Sequence, residues 1–195
     1  MLAALGLLAG CIALPTVGAD SPEKDAPDAA QPAGAGSAAA ADGTAVPAPA
    51  APAAVALQEG AAAPDFPYTA VDGTASTLSA HRGSVVLINL WASWCGPCVA
   101  EMPEIDRLEQ ENPDLVVLAV NVSDRADDAR SYIDGAGYGF TWILDTSGEI
   151  GFLYPSSGIP YTVIVDKEGA ISSIYMGSPR DPFATYGDAI RKAGI

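Results

Sequence analysis

The octapeptide WASWCGPC, Trp91 to Cys98, holds two of the three cysteines in this 195-residue chain. Just upstream, SVVLINLWA (Ser84 to Ala92) is almost continuously apolar and includes the β-branched Val85, Val86 and Ile88, which predicts a central strand buried on both faces. Just downstream, VAEMPEIDRLEQEN spaces Met102, Ile105 and Leu108 at helical intervals among acids, which predicts an amphipathic helix beginning at the cysteines. The pair therefore sits where a strand hands over to a helix.

A C-x-x-C pair serves as half of a metal site or as a redox couple. Structural zinc wants four ligands, and the chain offers no second such pair and one histidine, His81, so ligand count argues against zinc. Copper(I) accepts two thiolates, which keeps a copper-binding or copper-delivery module as the alternative. A redox couple fits the position as well, because unpaired N–H groups and the macrodipole at a helix amino terminus stabilise a thiolate and lower its pKa. Cys95 is then expected to be the exposed nucleophile. Cys98, three residues on and one turn deeper, is the resolving thiol that attacks a mixed disulfide formed on Cys95. Gly96 lets the backbone turn tightly, and Pro97 fixes φ while giving up an N–H that a helix start leaves unpaired. Trp94 either shields the nucleophile and meets a partner or is plain packing.

Working outward, LVVLAVNV (Leu115 to Val122) reads as a second buried strand, and strand, helix, strand at this spacing implies a parallel crossover. SDRADDARSYIDGAGY follows as a helix with a cap at Ser123 and a stop at Gly135 and Gly137. FTWILD (Phe140 to Asp145) is a shorter strand, and YTVIVDKEGAISSIYMG, placed after Pro160, reads as a hairpin turning at Lys167-Glu168-Gly169. DPFATYGDAIRKAG closes the chain as a helix with Asp181 as cap and Pro182 at its first position. Before the long strand, PYTAVDGTASTLS reads as a hairpin turning at Asp72-Gly73. The expected fold class is α/β, a mixed sheet with helices on both faces and an added amino-terminal β-hairpin. His81, beside Arg82 in a turn, is expected to be exposed.

From Ile12 to about Leu57 the chain is mostly Ala, Pro, Gly and small polar residues without an aromatic, too little apolar surface to offset ordering entropy. Residues 11–60 are expected to be a tether, and 61–195 one domain. Net charge is −15 with no basic cluster, which disfavours nucleic acid as a partner. Leu2 to Gly10 are apolar or Gly, too short to span a bilayer yet long enough for a signal-peptide core. The stretch ends in LAGC and resembles a bacterial lipobox, which implies diacylglycerol on Cys11 and a protein held at the outer surface of a membrane. No Lys or Arg precedes the apolar run, a departure from the charged start of a signal peptide that leaves the true start of the protein open.

WASWCGPC resembles the active site of the thioredoxin superfamily, and GIPYTVIVD resembles the segment in which that superfamily carries a cis-proline beside the disulfide. The resemblance implies a thioredoxin-like fold and a cis bond between Ile159 and Pro160. The opening APDF, the early hairpin and the acid in CGPCVAEMP are similar to the membrane-tethered TlpA, ResA and CcmG branch. In that branch a glutamate near the pair assists proton transfer, and Glu101 takes the matching position. A carboxyl with a raised pKa there could accept the proton that Cys98 must lose. Asn89 replaces an aspartate found in thioredoxin itself, and an amide cannot shuttle protons. The resemblance implies a protein-disulfide oxidoreductase outside the cytoplasm that needs no cofactor beyond its own disulfide. Its implied partners are disulfide-containing client proteins, for example the CxxCH segment of apocytochrome c, and a membrane thiol reductase as electron donor.

Overall fold

The computed structural model describes residues 57–195; the leader, Cys11 and the tether as far as residue 56 lie outside the described residues. Among the described residues seven strands form, β1 (Pro67–Thr69), β2 (Ala75–Thr77), β3 (Val85–Trp91), β4 (Leu115–Asn121), β5 (Thr141–Leu144), β6 (Tyr161–Val165) and β7 (Ile171–Met176). Four helices accompany them, α1 (Gly96–Glu111), α2 (Ala126–Ala136), α3 (Glu149–Leu153) and α4 (Pro182–Ala193). The main sheet runs β5-β4-β3-β6-β7. β3 lies parallel to β4 from Val85 opposite Leu115 to Trp91 opposite Asn121, and β4 lies parallel to β5. α1 and α2 are the crossovers that parallel neighbours require. β6 runs antiparallel to both β3 and β7, so the sheet is mixed. β1 and β2 form a separate antiparallel pair, which turns at Asp72 and Gly73 and touches the main sheet through a bridge from Ala70 to Ile143.

Every residue of β3 is buried, because alternate side chains feed two cores. Val85, Leu87 and Trp91 pack toward Met102, Ile105 and Leu108 of α1 and Tyr186, Ala189 and Ile190 of α4, with Tyr132 and Ile133 of α2 against the same core. Val86, Ile88 and Leu90 pack toward Phe66, Tyr68, Leu78, Ile150 and Tyr154, so the other face is covered by the first hairpin, a single 3-10 turn (Leu78–His81) and α3. Folded contacts begin ahead of residue 61: the Gly60 N–H donates to the Ile171 carbonyl at 2.7 Å.

The β6–β7 turn closes with Asp166 Oδ1 accepting from the Ala170 N–H at 2.7 Å. Gly169 in that turn has φ +82, and a Cβ there would stand 0.6 Å from Arg82 Nη1. Only glycine fits.

The sequence expectations need three corrections here. Ser123 does not cap α2; the helix starts after Arg125 without a side-chain cap, because the neighbouring Asp124 carboxylate is drawn away to bond Ser93 and Asn121. Gly135 lies inside α2, and the helix ends at Gly137, φ +72. His81 is half-buried, with its Nε2 2.7 Å from the Tyr68 hydroxyl and its ring stacked on that tyrosine. Leaving water pushes its pKa down.

One surface-side acid on α1 gives the fold a pH dependence. Burial, with Asp106 nearby, pushes the Glu109 carboxyl up from 4.5 to about 7. The folded state therefore holds a proton that the unfolded chain releases, so stability falls as pH rises from about 4.5 to about 7. Glu109→Gln is expected to stabilise the domain by about 1 kcal/mol at pH 8, discounted for partial solvent screening, and by nothing measurable at pH 4. Urea melts at the two pH values check it.

Candidate active site

The site forms at the carboxyl end of β3, where the chain leaves the sheet and enters α1. Cys95 is the residue that caps α1, its Sγ accepting from the Cys98 N–H at 3.3 Å, with Pro97 in the first turn. Cys95 and Cys98 are joined as a disulfide with Cα atoms 5.3 Å apart. The loop before them is pinned at several points. Ser93 donates its N–H to Asp124 Oδ2 at 2.6 Å and its hydroxyl to Oδ1 at 3.1 Å, and Asn121 Nδ2 donates to Oδ2 at 2.6 Å. The Trp94 indole N–H reaches the Ser123 carbonyl at 3.5 Å.

Cys95 keeps only 5 % of its surface, and Cys98 none. This corrects the expectation of an exposed nucleophile: Cys95 Sγ is turned toward the helix start and lies 3.8 Å from the Ile159 carbonyl oxygen. The Ile159–Pro160 peptide bond is cis. Cys95, Gly96 and Pro97 line a groove of about 860 Å³ whose walls include Trp94, Phe152, Pro155 and Ile159. Trp94 and Phe152 stand 66 % and 51 % exposed, so Trp94 is part of the groove wall rather than core packing.

Behind the disulfide, Glu101 is fully buried on the same face of α1 as Cys98, three residues away. Asn89 Nδ2 donates to Glu101 Oε1 at 2.8 Å, and the Tyr186 hydroxyl donates to Oε2 at 3.1 Å. Burial pushes the Glu101 carboxyl up, opposed by donors from Ser178, Asn89 and Tyr186. The geometry brings together Trp94, Cys95, Gly96, Pro97, Cys98, Ile159 and Pro160, with Glu101 in the layer beneath. Asn89 anchors Glu101 directly, while its own Oδ1 has no partner among the described residues. No group of three or more His, Cys, Asp or Glu suited to a metal ion occurs among the described residues.

Sequence reasoning missed Tyr186, Thr162, Asp124 and Phe152. Tyr186 lies 85 positions from the glutamate it bonds, and no local pattern carries such a pairing. Phe152 belongs to a five-residue helix, too short to show a period.

The Redoxin family model matches residues 58–190. The chain belongs to the Redoxin family. It is similar to the thioredoxin-like protein YneN of Bacillus subtilis, 37 % identical over 128 residues covering 64 % of this chain and 75 % of that protein. It is also similar to the thiol-disulfide oxidoreductase ResA of Geobacillus kaustophilus, 31 % identical over 125 residues, 63 % of this chain and 72 % of ResA. Among solved structures, a DsbE thiol:disulfide interchange protein of Chlorobium tepidum superposes with a TM-score of 0.67 at 29 % identity, covering 71 % of this chain and 99 % of that one. The domain is thus a thioredoxin-like thiol-disulfide oxidoreductase that carries the Cys95–Cys98 disulfide.

Proposed function

We propose that this oxidoreductase works outside the cytoplasm, tethered to a membrane through lipid on Cys11, and reduces disulfides in client proteins with electrons from a membrane thiol reductase. The observation that carries the thiol-disulfide exchange is the disulfide itself, closed to solvent at Cys98 and open at Cys95 to a groove. Electrons enter and leave through a single sulfur. Outside the cytoplasm disulfides persist, so a pair of this kind is useful when a donor keeps it reduced. Cys95 attacks the client disulfide, Cys98 resolves the mixed disulfide, and Glu101 accepts the proton Cys98 gives up. Two electrons pass to the client, and the pair is left oxidised without any other cofactor.

The LAGC motif and the Ala/Pro-rich stretch behind it support the anchor and tether. Among the described residues no helix is long and apolar enough to cross a membrane. The likeness to ResA and DsbE supports a client with a C-x-x-C disulfide, such as the CxxCH segment of apocytochrome c. In the test, membrane-derived protein carrying a diacylglyceryl mass on its Cys11 peptide is reduced and mixed with an oxidised CxxCH peptide. One peptide disulfide reduced per domain is the expected result. Reduction of insulin but not of this peptide would exclude the proposed client, and reduction of neither would overturn the function.

A further inference from the structure

Four elements place four polar side chains, one of them a buried carboxyl, in a closed ring. From β3, Asn89 Nδ2 donates to Glu101 Oε1 at 2.8 Å and to Thr162 Oγ1 of β6 at 2.9 Å. Thr162 Oγ1 donates to the Tyr186 hydroxyl of α4 at 3.4 Å, and that hydroxyl donates to Glu101 Oε2 at 3.1 Å. Asn89, Glu101, Thr162 and Tyr186 are all buried. Every arrow in the ring points toward the carboxylate, an arrangement suited to the charged form.

A buried carboxyl that accepts a proton faces a problem of pairing. Once Oε2 carries hydrogen, a neighbour that can only donate becomes a clash, and an unpaired buried polar group costs about 1–3 kcal/mol. The Asn89 Nδ2 group can only donate, and it bonds Oε1, which stays an acceptor in the acid. The Tyr186 hydroxyl has one hydrogen and two lone pairs, so it can accept from Oε2–H and turn its own hydrogen to Thr162 Oγ1. Burial and the neighbouring Glu101 charge push the Tyr186 phenol far above its ordinary range. Its hydrogen therefore remains in place in both states.

We propose that Tyr186 is the positioning residue for Glu101, holding the carboxyl in one place through both protonation states by reversing two consecutive hydrogen bonds, its own to Glu101 and the one it shares with Thr162. This rests on the reading of Glu101 as proton acceptor for Cys98. In that step the Cys98 S–H proton passes to Glu101, and the Cys98 thiolate attacks Cys95 Sγ. The bond from Cys95 to the client sulfur breaks as the Cys95–Cys98 bond forms, and its electron pair leaves with the client thiolate, which takes a proton from solvent. Glu101 later returns its own proton to solvent. The titratable groups facing Glu101 are Tyr186 from α4 and Cys98 one turn back on α1; the Asn89 amide and the Thr162 and Ser178 hydroxyls complete its surroundings. Tyr175 of β7 packs edge-on against the Tyr186 ring, with centroids 5.3 Å apart.

The test is Tyr186→Phe, which removes one oxygen and keeps the ring. In the reduced domain the Glu101 carboxyl-carbon resonance is followed against pH. The same proteins are mixed with dithiobis-nitrobenzoate, whose first released thiolate reports Cys95 attack and whose second reports resolution by Cys98. In Tyr186→Phe the Glu101 midpoint is expected to rise by about one pH unit, since the carboxylate loses a charge-assisted donor. The inflection of the second release follows it, and the first release is unchanged. On a Glu101→Gln background the substitution adds nothing. An unmoved Glu101 midpoint would overturn the proposal. Should the variant fail to fold, the Tyr186 ring carbon bearing oxygen in the unsubstituted protein must shift with the Glu101 midpoint, and an invariant resonance overturns it equally. If the midpoint moves while Glu101→Gln resolves at the unsubstituted rate at every pH, the role of Tyr186 stands and the proton-acceptor reading of Glu101 falls.

Discussion

A reduced Cys98→Ser protein mixed with a disulfide-bearing client is expected to accumulate a mixed disulfide through Cys95, while a Cys95→Ser protein accumulates none and turnover in both falls to background. The asymmetry follows from position. Cys95 caps α1, where backbone N–H groups, including that of Cys98, favour a thiolate. Its remaining surface opens into the groove. Cys98 has no exposed surface at all, so no client sulfur can approach it in line, and its reach is limited to the neighbouring sulfur. With Cys98 replaced, the intermediate has no internal thiol to break it. The trapped species is read by mass after non-reducing separation, its peptide should map to Cys95, and dithiothreitol should release the client. A conjugate formed in Cys95→Ser would reverse the assignment of nucleophile and resolving thiol.

The second large effect concerns stability. Ile88→Ala is expected to destabilise the domain by about 3–4 kcal/mol, whereas Ile88→Val costs about 1 kcal/mol. Ile88 is fully buried at the middle of β3, the middle strand of the sheet, opposite Leu118 of β4 and Val163 of β6. Its side chain points into the core beneath the first hairpin and α3. Ordered strands flank it on both sides, so the neighbours cannot collapse into the void. A urea melt with unchanged slope and a lower midpoint checks the effect. A loss below about 1 kcal/mol would show that the site relaxes freely.

The parts of this protein that were legible in its sequence are those encoded by neighbours in the chain. The unbroken apolar run of β3, the helical spacing of α1 and the Asp181-Pro182 start of α4 are local signals, and local packing honours them. Asp181 does cap α4, accepting from the Ala184 N–H at 3.0 Å. Ser123 and Asp124 show the limit. Both are good capping residues, yet neither caps α2, because Asp124 is claimed by Ser93, which lies 31 positions earlier. The same holds at Glu101. Its position and burial were open to inference from the cysteine motif, but its anchors Thr162 and Tyr186 arrive from β6 and α4, and only the closed sheet brings them together.

Among the described residues, none of those lining the groove beside Cys95 is charged, although the chain as a whole carries −15. Capture and retention are thereby assigned to different forces. The distant negative field sets how fast a client of given charge arrives, and that rate is sensitive to ionic strength. In the function we propose, the grip on a client comes from aromatic and aliphatic surface around Trp94, Phe152 and Ile159, which salt does not screen. On that proposal, residence time follows the shape and apolar surface of the segment around the client's cysteines more than its charge.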